Sequence, residues 1–139
     1  MGMNQSEFFR RMGAPLTNAR WSWGGIRSAD GAVVLRVWQD RKLKLNDRWY
    51  MMITHHAKYE NDTDNLGYRE RNEHAALIRS GRWPCYMVMC LAEDTTSSPR
   101  KVVSFNEREV FVGGNVIEHE GDSWVEMTGR VPAESLFIQ

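Results

Sequence analysis

Apolar and polar positions alternate in short runs along most of this chain, and only two stretches carry the wider spacing of a helix. Phe8, Phe9 and Met12 make an apolar stripe over residues 6–13, with Ser6 as the N-cap, Gly13 as the stop and Pro15 behind it. A second helix is predicted over residues 66–80, closed by Gly81. There Arg71, Ala75 and Ile78 share one side with His74 close by, so a narrow stripe packs.

The remaining pattern is that of strands. Residues 20–27 and 33–38 are β-prone and flank Asp30-Gly31, a pair that tolerates the positive φ of a tight hairpin. With a two-residue turn, facing positions sum to 61 and Trp23 lies opposite Trp38. A longer loop makes the two diagonal. Residues 41–48 read as a polar, basic connection and residues 49–56 as a third strand. Residues 57–65 form a loop ending in helix caps. The nearly continuous apolar run 85–91 reads as a central strand, followed by a turn-rich loop at 95–100 and a strand at 101–105. Val110-Phe111-Val112, a Gly113-Gly114 turn and Val116-Ile117 suggest a second hairpin. Glu120-Gly121-Asp122 turns into a last strand at 124–127.

Seven or eight short strands with two isolated helices predict an α+β, mainly β domain, a strongly bent sheet or partly closed β-barrel with two flanking helices. Regular strand–helix alternation is missing, which excludes a doubly wound fold. The 139 residues fit one domain over 1–139, and no repeat, linker or low-complexity tract divides them.

Composition changes this picture in two places. Lys plus Arg and Asp plus Glu each number 18, so the whole-molecule field favours no polyanion, and any nucleic-acid contact must come from a local patch. The densest patch is Arg36, Arg41, Lys42, Lys44 and Arg48 against Asp40 and Asp47. The six tryptophans are many for so small a core, so some are expected to line a groove or a surface. Cys85 and Cys90 sit an odd number of residues apart on one strand, on opposite faces, and are expected unpaired. The apolar runs are too short for a membrane-spanning helix and no signal peptide is visible, so the expected location is cytoplasmic.

The candidate chemistry follows. Trp21, Trp23, Trp38 and Trp49, with Arg36 and His55, are candidate ligand-binding residues, because aromatic faces stack on planar ligands. The competing reading is a set of cross-strand tryptophan pairs that stabilise a small sheet. Arg41, Lys42, Lys44 and Arg48 are candidate contacts to a nucleic-acid backbone, against a solvated loop paired with Asp40 and Asp47. Neighbours on a strand point to opposite faces, so His55-His56 is a poor metal pair. One of these histidines could act as a base, with Glu60, Asp62 or Asp64 to orient it. No serine or cysteine has nucleophile context and the glycine pairs fit no phosphate loop. No catalytic residue, metal or cofactor is therefore assigned.

One resemblance bears on function. A helix ending Ile78-Arg79-Ser80-Gly81, the strand Tyr86-Met87-Val88-Met89, then Ala92-Glu93-Asp94, together with the opening Arg20-Trp21-Ser22-Trp23-Gly24, resembles the PUA-like superfamily of EVE, YTH, ASCH and SRA-type domains over about residues 20–130. The resemblance implies a reader of DNA or RNA that places a flipped or modified base in an aromatic pocket. It also implies, as for some bacterial members, a fused or associated nuclease, with this chain as the N-terminal module of a longer protein. The neutral charge departs from SRA and ASCH surfaces, and no catalytic lysine motif of the ASCH kind aligns. Two other classes stay open: a protein-interaction module of a phage or defence system using exposed tryptophans, and a small His/carboxylate hydrolase or nuclease.

Overall fold

The computed structural model describes residues 3–62, 64–97 and 100–138. Helix α1 (Gln5–Arg11) is capped by Asn4, whose Oδ1 accepts from Glu7 N at 2.8 Å, and not by Ser6. The longer helix α3 (Leu66–Arg79) is capped in the same way by Asn65, which accepts from Tyr68 N at 3.0 Å. A one-turn helix α2 (His56–Tyr59) follows the fourth strand.

Eight strands make one sheet: β1 (Gly24–Ile26), β2 (Val33–Trp38), β3 (Lys42–Leu45), β4 (Arg48–Thr54), β5 (Cys85–Ala92), β6 (Val102–Phe105), β7 (Glu109–His119) and β8 (Asp122–Pro132). The order is β1-β2-β5-β7-β8-β4-β3, and β6 pairs the second half of β5. The molecule is thus mainly β, as the alternation predicts. β5 is an interior strand, paired with β2, β6 and β7, and it runs parallel to β2.

Each face of the sheet has its own core, and β5 feeds both. Phe8, Phe9, Met12, Val34, Val88 and Cys90 pack under α1, while Val33, Leu35, Met51, Cys85, Met87, Ala75 and Ile78 pack under α3. The two free, buried cysteines therefore lie in different cores, as their odd spacing requires.

The sheet is not closed into a barrel. β2 and β4 approach one another without a ladder between them. Arg71 of α3 spans the gap: Nη1 donates to Ile53 O on β4, and Nη2 donates to Arg36 O on β2 at 2.9 Å and to Trp23 O at 2.8 Å. One guanidinium supplies the donors that a missing strand pair would have supplied.

Three local expectations are corrected. The β1–β2 register sums to 59, with Gly24 facing Leu35, because the connection runs from Arg27 to Ala32 instead of turning on two residues. Trp23 is therefore diagonal to Trp38. The connection read as polar at 41–48 holds strand β3, hairpinned to β4 through Asn46 (φ 50°) and Asp47 (φ 63°). These residue types tolerate the left-handed conformation at low cost. Gly113-Gly114 is no turn: β7 runs through it with a register shift, and the hairpin turns at Glu120 and Gly121. A Cβ on Gly113 would come within 2.7 Å of Cys85 Sγ, so glycine there lets β7 cross β5 closely.

Candidate functional site

The open seam between β2 and β4 leads into a cleft of about 300 Å³. Its walls are Trp21 and Trp23 from the segment before β1, Arg36 and Trp38 from β2, Arg41 after it, Met52 and Ile53 from β4, and Lys58 and Tyr59 from α2. Arg20 and His55 stand in the wall, and Arg71 and Arg100 reach it from behind.

Its electrostatics are one-sided. Among the described residues the lining holds six cations, Arg20, Arg36, Arg41, Lys58, Arg71 and Arg100, and no Asp or Glu. Only Arg100 has a carboxylate partner, gripping Asp40 with two hydrogen bonds of 2.7 and 2.9 Å. Those bonds hold the Asp40 carboxyl below its usual range. Arg36 donates to Gln5 Oε1 at 2.9 Å, and burial lowers its pKa. Burial, then repulsion from Arg36, pushes Arg71 down to about 9, so it still carries its charge at neutral pH. The Nε atoms of both are buried without a hydrogen-bond partner among the described residues.

The tryptophans do different jobs. The guanidinium of Arg71 lies over the Trp23 ring, 5.6 Å from its centroid, and Tyr59 packs against that ring at 5.1 Å. Gly67 leaves room for its edge, since a Cβ there would fall 2.4 Å from Trp23 Cε2. Trp23 is thus largely occupied by its own protein. Arg100 sits over Trp38 at 5.3 Å. Trp21, half-buried, has no ring or cation partner among the described residues. Its loop is fixed: Asn18 N donates to Ser22 Oγ at 2.9 Å, Ser22 N donates back to Asn18 O, and Arg20 N donates to Asn18 Oδ1. Arg20 and Trp21 are thereby presented together at the mouth.

Of the residues singled out from sequence, Trp21, Trp23, Trp38, Arg36, His55 and Arg41 meet in this cleft. Trp49, Lys42, Lys44 and Arg48 do not. Trp49 is 41% exposed on the β3–β4 hairpin, flanked by the ammonium groups of Lys42 and Lys44 at 5.7 and 5.8 Å, and Arg48 pairs with Glu126. Hairpin formation carries residues 42–48 away from the cleft, which a loop reading could not foresee. Sequence reasoning missed Arg20, Lys58, Tyr59 and Arg100. Arg71 left a signal: a cation in the apolar stripe of a helix must be buried and bonded.

His55 and His56 part company, as neighbours at a strand end do. His55 Nδ1 lies 3.0 Å from Asp122 Oδ1, so its carboxylate comes from β8 and not from Glu60, Asp62 or Asp64. His56 is bonded on both nitrogens, to Tyr68 Oη at 2.8 Å and Ser123 Oγ at 3.0 Å. No group of three His, Cys, Asp or Glu that could hold a metal occurs among the described residues.

His74, one turn after Arg71 on α3, is buried with Nδ1 unpartnered among the described residues. Burial, and then Arg71, pushes its pKa from 6.5 down to about 4. Between those values the unfolded chain binds a proton that the folded protein refuses, so stability falls as pH drops through the window. From pH 7 to pH 5 we expect a loss of about 2 kcal/mol, read as a lower urea midpoint. His74→Leu should remove that loss. An unchanged pH dependence in the variant would place it on other groups.

Comparison with protein-family models, curated proteins and solved structures finds no match to this chain.

Proposed function

We propose that this protein is a nucleic-acid-binding module of PUA-like type, which seats a base, flipped from its stack or modified, against Trp21 and Trp38 while cations at the mouth hold the flanking phosphates. The observation that carries the reading is the charge of the cleft. A chain with equal numbers of acids and bases lines one aromatic-walled hollow with six cations, only Arg100 among them paired to a carboxylate, and with no Asp or Glu among the described lining residues. Such a site suits a ligand with a flat π-face and several negative charges, and a nucleotide strand has both. In this reading Arg20, Lys58 and Arg41 hold phosphate and Trp21 stacks on the base.

Tryptophan fluorescence titration with modified and unmodified, single- and double-stranded oligonucleotides at two salt concentrations tests this. Quenching is expected, with an affinity that falls as salt rises. Three to five phosphate contacts give a log–log slope of about −2 to −3.5 for a single strand. Absence of quenching by every oligonucleotide would overturn the reading. In that case the exposed Trp49 between two lysines favours a second reading, an anchor for an acidic protein surface.

A further inference from the structure

We propose that the same cleft cleaves RNA, with His55 as general base of an internal transesterification. The proposal rests on the nucleic-acid reading above and adds a reaction to it.

His55 is the only histidine that lines the cleft among the described residues, and its side chain is 29% accessible. Asp122 behind it is largely covered, at 11%, and its Oδ1 also takes Ala57 N at 3.4 Å. Beside an ionised carboxylate, Nδ1 can only donate, which leaves the lone pair on Nε2. A base oriented by a buried carboxylate is the arrangement general-base catalysis needs. The other histidines lack it. His56 spends both nitrogens, and His74 is buried. Ser123 beside His56 is fully buried, so no substrate reaches that pair.

A phosphate anchor stands close by. Arg41 lines the same cleft as His55. Its one side-chain hydrogen bond among the described residues goes to Met52 Sδ at 3.6 Å, a weak acceptor. Burial and then Arg100 lower its pKa, and a bound phosphate would set a negative charge against both effects. Lys58 lies in the α2 turn that follows His55. Cations held here neutralise the charge that builds on a five-coordinate phosphorus.

In the step, His55 Nε2 takes the proton of a ribose 2′-hydroxyl. The 2′-oxygen attacks the adjacent phosphorus and the bond from phosphorus to O5′ breaks. The departing O5′ takes a proton from water, and His55 later returns its own to solvent. The products are a 2′,3′-cyclic phosphate and a 5′-hydroxyl, with no redox change and no water consumed overall. DNA lacks the 2′-hydroxyl, so it binds and stays whole.

The test uses the full chain with an end-labelled RNA oligonucleotide and its all-deoxy counterpart, with chelator present, and scores cleavage and tryptophan quenching together. Wild type is expected to cut the RNA to cyclic-phosphate ends and to leave the DNA intact. His55→Asn keeps an N–H for Asp122 but has no base. With RNA raised until the variant's own quenching saturates, it should cut at least about 100-fold more slowly than wild type. RNA that binds and is not cut, or is cut equally by His55→Asn, overturns the catalytic proposal and leaves the binding reading standing. Failure of both oligonucleotides to quench removes both.

Discussion

Arg71→Met is expected to cost about 3 kcal/mol of folding stability, read as a lower urea midpoint. Arg71 donates to carbonyls of Ile53, Arg36 and Trp23, which lie on three separate segments at the one place where the sheet fails to close. Methionine matches the aliphatic stem but donates nothing: Trp23 O keeps Arg36 N at 2.8 Å, while Ile53 O and Arg36 O lose the donors that Arg71 gave them. Each buried acceptor left unsatisfied costs about 1–3 kcal/mol. Part of that is offset, because a guanidinium whose pKa is pushed down to about 9 is itself costly to bury. Arg71→Lys should not rescue, since one ammonium cannot span three carbonyls in a planar fork. A variant as stable as wild type would mean that water satisfies the seam and that Arg71 is present for the ligand alone.

Trp21→Ala is expected to weaken oligonucleotide binding by about 5- to 150-fold, the equivalent of one lost base stack at about 1–3 kcal/mol. The fold should be unaffected, because the Asn18–Ser22 hydrogen bonds that shape the loop use none of the Trp21 side chain. Trp23→Ala makes the contrast. It withdraws a ring from Arg71, Tyr59 and Gly67, so it should loosen the protein as well as the site. Trp49→Ala, on a hairpin outside the cleft, should leave affinity unchanged. Equal losses in Trp21→Ala and Trp49→Ala would mean that exposure governs the effect and the cleft does not.

The two longer helices, the apolar strand β5 and the separation of the two cysteines were legible because each depends on local spacing, whereas the single turn α2 fell in residues read as strand end and loop. A cap such as Asn65, a stop such as Gly81 and a doubly apolar run such as Cys85–Ala92 carry their own signals. What escaped depends on pairing. The Asn46-Asp47 turn looks like any polar loop until Lys42–Leu45 is seen alongside Arg48–Thr54. The continuity of β7 through Gly113-Gly114 depends on a close crossing of β5 at Cys85. For the site, the gathering of Trp21, Trp23, Trp38 and Arg36 was legible because residues 20–38 are neighbours in sequence. Arg100 and Asp122 enter from far along the chain, and no local pattern could have brought them in.

The six indole N–H resonances of this protein offer the most direct test of where ligand binds. A single-stranded oligonucleotide should be titrated while all six are followed by NMR and assigned through single Trp→Phe variants. Binding in the cleft should move the signals of Trp21 and Trp38 most, Trp23 less, and leave Trp49, Trp83 and Trp124 in place. Movement confined to Trp49, or uniform small shifts that vanish in modest salt, would contradict the cleft as the binding site.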